Sequence, residues 1–151
     1  MTLIKISTAI LAAVMFLLLV PSAHAGISSQ LTEMTFNQPV RIPGGRVLPA
    51  GTYWLTIPDN GHTHRLVVIY NQDRNHVEAL LLTHPALRMN ATNKTEITLA
   101  EQGRNRPDVL LSWFYPGLNY GHSFIYSLSM QRRLTEDPTM KLSVKTQPMS
   151  E

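Results

Sequence analysis

Between residues 34 and 126 apolar and polar side chains exchange places with a dominant period of two. Met34 and Phe36 alternate with Thr35 and Asn37 before Pro39. Alternate side chains of an extended chain point to opposite faces, so the stretch is a strand with one covered face. Proline cannot donate to a ladder, which places Pro39 at an end or an edge. Tyr53, Leu55 and Ile57 form a second row, and Ile97 and Leu99 a third, opposite Glu96 and Thr98. Residues 66–70 are apolar on both faces, as in a central strand, and residues 77–83 are another apolar run. The polar turn at 71–75 joins these two runs as a hairpin. Val109, Leu111, Trp113 and Tyr115 fall in one row expected to face the core; Leu110, Ser112 and Phe114 form a mixed row nearer the surface.

Turn residues separate these stretches: Pro43-Gly44-Gly45, Pro49-Ala50-Gly51, Pro58-Asp59-Asn60-Gly61 and Pro116-Gly117. Asn-Gly is the strongest of them, because both residues accept a positive φ at low cost. No amphipathic helix lies between the strands, and parallel strands need long crossovers, so the sheets should be antiparallel. The expected fold is all-β, an antiparallel β-sandwich or partly closed barrel of about 7–8 strands. Residues 128–151 are rich in Ser, Thr and Gln, contain Pro138 and Pro148, and carry only scattered apolar side chains. They read as a flexible tail with one short helix near Met130.

The beginning of the chain follows another rule. Lys5 precedes an apolar run from Ile10 to Val20, then Pro21 and the small-residue ending Ala23-His24-Ala25. This order is that of a secretory signal peptide, cleaved after Ala25. The run is shorter than the roughly 20 residues that span a bilayer. The expected organisation is a signal peptide at 1–25, a β-sandwich domain at 26–127 and the tail at 128–151. The expected mature chain is periplasmic or extracellular, with no membrane span. Without a cysteine it cannot be lipid-anchored at its N-terminus.

Composition narrows the chemistry. The absence of cysteine removes disulfides, thiolate nucleophiles and Cys-based zinc sites. Charged residues are 15% of the chain, and the formal charge of +3 falls to +2 when Lys5 is removed. That balance argues against a nucleic-acid partner. Arg104, Arg106, Arg132 and Arg133 read as loop and tail charge.

Three stretches carry a resemblance: residues 34–40 (MTFNQPV), 47–53 (VLPAGTY) and 113–121 (WFYPGLNYG). In this order the chain resembles a family of small secreted bacterial all-β proteins, frequent in acidobacterial genomes, over roughly residues 32–126. The resemblance implies an exported all-β domain and carries over no catalytic residue.

Two sets of side chains remain as candidate sites. His62 and His64, at i and i+2, would point to one face of an extended segment, and His76 would join them if the two apolar runs pair. These three are the candidate metal ligands. Six aromatic residues crowd between Trp113 and Tyr126. Of these, Phe114 on the mixed row and Tyr120 between Gly117 and Gly121 are the candidate ligand-binding residues, by stacking. No Gly-x-Ser-x-Gly elbow, His-Glu-x-x-His motif or phosphate loop is present. The expected function is that of an exported, non-enzymatic protein with no cofactor, whose partner is an envelope protein or carbohydrate. The alternative is a small His-dependent metal-binding protein or metalloenzyme.

Overall fold

A computed structural model describes residues 30–58 and 64–148. The expected signal peptide, the turn at Asp59-Asn60-Gly61 and His62 lie outside the described residues. The elements are β1 (Gln30–Phe36), β2 (Val40–Arg41), β3 (Val47–Leu48), β4 (Gly51–Thr56), β5 (Leu66–Asn71), β6 (Val77–Leu87), β7 (Thr95–Ala100), β8 (Asp108–Phe114), β9 (Tyr120–Phe124), α1 (Leu128–Leu134) and β10 (Thr139–Pro148). The strands form one mixed sheet in the order β3-β2-β8-β7-β10-β1-β4-β5-β6-β9, with a further pairing of β8 with β9. The all-β class expected from the alternation is the observed one.

Two long strands fold this sheet into two layers. β6 pairs with β5 through its first half and with β9 through residues 83–87. β10 pairs with β7 through residues 139–144 and with β1 through residues 145–148. A strand that changes partners along its length turns a corner between layers. The β8–β9 ladder joins only residues 112–114 to 121–123, so the arrangement is partly closed and not a full barrel. The core lies between the layers: Met34, Leu55, Ile69, Ile97, Leu99, Leu110, Trp113 and Tyr115 are all buried there.

The hairpin of β5 and β6 forms as the alternation requires, in the register Leu66↔Leu82. Its turn is held by the Asn71 side chain, whose Oδ1 accepts from the backbone N–H groups of Asn75 and His76.

Three expectations are corrected. Residues 128–148 are not a loose tail: α1 packs Leu134 against Ala100 and Val109, and β10 lies between β1 and β7. Met140, Leu142 and Val144 alternate with Lys141, Ser143 and Lys145, and the three apolar side chains pack against the core. Among the described residues the strands number ten, because β10 and the two-residue β2 and β3 join those expected. The pairing is antiparallel throughout except between β2 and β8, which run parallel over Val40 and Arg41.

The core row of β8 is a further correction. Thr98 pairs with Ser112 but Leu99 with Leu110, so Leu111 is an extra residue without an opposite partner. Such a bulge shifts the phase of alternation by one. Leu110 therefore shares the main core with Trp113, while Val109 and Leu111 turn to the smaller cluster under α1.

Candidate binding site

The aromatic hairpin is covered on both faces. Trp113 is 0% exposed, and its Nε1–H donates to Thr32 Oγ1 at 3.2 Å. Phe114, expected near the surface, is only 6% exposed. Its ring lies against Gly121, where a Cβ would come within 2.6 Å of Phe114 Cδ1 and 2.4 Å of the Trp113 carbonyl oxygen. The Arg88 guanidinium stands 5.1 Å from the ring centroid. Arg88 is fixed there by Nε donating to Leu118 O at 2.9 Å and Nη2 donating to Tyr115 O at 2.8 Å. A ring so enclosed offers no stacking face, and this corrects the expectation for Phe114. Tyr120 is 41% exposed, opposite Leu87 at the rim of the β6–β9 ladder.

The candidate metal ligands are separated by the hairpin register. His76 adjoins Asn71 at the turn, whereas His64 precedes Leu66 at the open end. Five residues of strand, roughly 17 Å at about 3.3 Å per residue, lie between those ends. Among the described residues no group of three His, Asp or Glu side chains is placed to hold a metal.

Among the described residues His122, absent from the candidates, is the buried histidine. Its ring packs 5.6 Å from Trp113 and 5.9 Å from Tyr115, with Nδ1 3.1 Å from Thr83 Oγ1. The Thr83 hydroxyl donates to Arg65 O at 3.0 Å, so its lone pair receives the Nδ1–H of His122. Burial, and after it the positive field of His64, lowers the His122 pKa from 6.5 to about 4. The imidazole is a neutral structural group at neutral pH. Burial also raises the Tyr115 hydroxyl well above the ordinary tyrosine range.

The other end of β8 carries an arrangement that sequence separation conceals. β2 lies beside the start of β8, with Arg41 opposite Val109, and the loop of residues 101–107 and α1 close around the same end. A cleft of about 730 Å³ is lined by Gln38, Arg41, Arg104, Asn105 and Arg106 among others. A second, of about 380 Å³, is lined by Arg41, Gln102, Arg106 and Arg133 among others. A third, of about 350 Å³, includes Arg41, Tyr126 and Arg133. Arg41 is common to all three.

Two carboxylates at this end are engaged by amides. Asp108, buried at the start of β8, accepts from Gln38 Nε2 and from the Gln102 backbone N–H at 3.2 Å. Asp137 accepts from Gln102 Nε2 at 2.5 Å. Tyr126 buttresses the cleft, donating its hydroxyl to Leu110 O at 2.8 Å, and burial raises its pKa well above the ordinary value. Alternation and turn signals say nothing of this end. The doublets Arg104/Arg106 and Arg132/Arg133 were its only trace in the sequence, and nothing local joins them to Arg41.

No family model, curated protein or solved structure matches the chain.

Proposed function

We propose that the mature chain is an exported, non-enzymatic all-β protein that binds a cell-envelope partner at the arginine-lined end of β8. The observation that carries this reading is the meeting of three clefts at Arg41, on a scaffold of paired strands. Binding residues held by rigid elements, with loops around them, are the usual construction of a recognition site. Export rests on residues 1–25, which have the order of a cleavable signal. Phe114 and His122, by contrast, are given to packing.

Two experiments test the reading. Mass spectrometry of protein recovered from periplasm or medium should find Gly26 as the first residue; cytoplasmic protein retaining Met1 would refute export. Purified protein should co-sediment with a cell-envelope fraction, and the double variant Arg41→Gln/Arg133→Gln should not. Equal sedimentation of the two would remove the site. Stoichiometric zinc or copper on elemental analysis would favour the histidine alternative.

A further inference from the structure

The arginines of this chain divide into two groups by what their side chains touch. Arg46 is paired with Glu78, Arg74 lies over the Trp54 ring, Arg88 is locked around Phe114, and Arg65 bonds Thr83 O and His84 Nδ1. These four are spent on holding the sheet. The other five, Arg41, Arg104, Arg106, Arg132 and Arg133, all belong to the end of the molecule around β2, the 101–107 loop and α1. Among the described residues none of the five makes an ion pair with a carboxylate. Arg106 Nε donates to Gln102 O at 2.9 Å and Arg133 Nη2 points at Met130 Sδ at 3.2 Å, which leaves most of each guanidinium fork unused.

Carboxylates are not lacking nearby. Glu101, Asp108, Glu136 and Asp137 line the same clefts. Asp108 and Asp137 are taken by Gln38 and Gln102, and Glu101 and Glu136 are exposed and unpaired with the arginines. Acids close at hand thus leave the guanidinium groups unpaired. A guanidinium presents five donors in a planar fork that fits a carboxylate or phosphate through two parallel hydrogen bonds. Guanidinium forks that make no ion pair inside the molecule keep those donors for an anionic ligand.

We propose that Arg41, with Arg104, Arg106 and Arg133 around it, takes an oxyanion, a carboxylate or phosphate borne by the partner. This rests on the binding reading above and names the chemistry of its ligand. Arg132 lies on the exposed side of α1 and lines none of the three clefts. It supplies an equal charge change outside the site.

The test is calorimetric titration of the exported protein with trigalacturonate, with its methyl ester and with inorganic phosphate. Each is repeated on Arg41→Gln, Arg133→Gln and Arg132→Gln, after circular dichroism has shown unchanged folding. Trigalacturonate or phosphate should bind the unaltered protein, and whichever binds identifies the oxyanion. Arg41→Gln and Arg133→Gln should each weaken that binding by about tenfold, while Arg132→Gln changes it by less than about twofold. If Arg41→Gln does not fold, Arg133→Gln on the surface of α1 decides alone. Binding of the ester as tight as the acid would overturn the oxyanion assignment, as would an equal loss from Arg132→Gln. If no probe binds while co-sedimentation with the envelope persists, the oxyanion assignment fails and the binding reading stands. If both fail, both fall.

Discussion

Truncating Phe114 decides whether the β8–β9 hairpin is covered on both faces. An aromatic side chain buries roughly 150–250 Å². At about 25 cal/mol per Å², loss of a nearly enclosed phenyl ring near the lower end of that range removes about 4 kcal/mol. Some of the space can be refilled, because Arg88 is a long side chain lying directly over the ring. The expected cost of Phe114→Ala is therefore about 3 kcal/mol, at the low end of the roughly 3–5 kcal/mol typical of Phe or Trp truncations. Trp113→Ala should cost about 5 kcal/mol. It has no flexible cover to collapse, and it strands the buried Thr32 hydroxyl that Nε1 now reaches. The assay is urea unfolding followed by far-ultraviolet circular dichroism, which does not depend on the tryptophan removed. With a slope of about 1–3 kcal/mol per M, Phe114→Ala should lower the midpoint by at least about 1 M. A cost below about 1 kcal/mol would mean that the ring faces solvent, and would restore Phe114 as a stacking surface.

Three further outcomes follow from the same geometry. Gly121→Ala places a Cβ 2.4 Å from the Trp113 carbonyl oxygen, a backbone atom that cannot step aside. It should lower stability by about 1–3 kcal/mol in the same unfolding assay, and a neutral result would contradict the close approach of β8 and β9. The depressed pKa of His122, about 4 against an ordinary 6.5, makes stability depend on pH with a definite sign. The unfolded chain takes up the proton first as pH falls, so stability is full above about 6.5 and declines towards 4, by on the order of 3 kcal/mol. His122→Gln should flatten that slope between pH 7 and 4.5, at about those values; an unchanged slope would assign it to other groups. Tyr126→Phe removes the bond to Leu110 O and should cost about 1 kcal/mol, measured as a shift in thermal midpoint.

Much of the fold was legible because one-sided strands announce themselves by a period of two. The β5–β6 hairpin could be read from two apolar runs and a polar turn. Reading failed where a local irregularity or a distant contact decided the outcome. The extra residue at Leu111 exchanges the rows of β8, and nothing in Val109–Leu110–Leu111, apolar throughout, marks where it sits. In β10 the alternation of Met140, Leu142 and Val144 was present, but a Ser- and Thr-rich setting between two prolines disguised it. Phe114 was misplaced because its cover is Arg88, a charged residue from an irregular stretch. The arginine-lined end was invisible for a related reason: Arg41, Arg106 and Arg133 are brought together only by the β2–β8 pairing and the docking of α1.

The central claim is that a partner engages the end of the sheet where β8 begins. It is tested most directly by photo-crosslinking in the exporting cell, with the photoreactive residue placed at position 104 or at position 89. Arg104 lines the largest of the three clefts, and Met89, fully exposed, follows β6 near the opposite end of β8. The account predicts a discrete adduct from position 104, lost when Arg41 is replaced by Gln, and none from position 89. An adduct from position 89 alone, or one from position 104 that survives loss of Arg41, would contradict it.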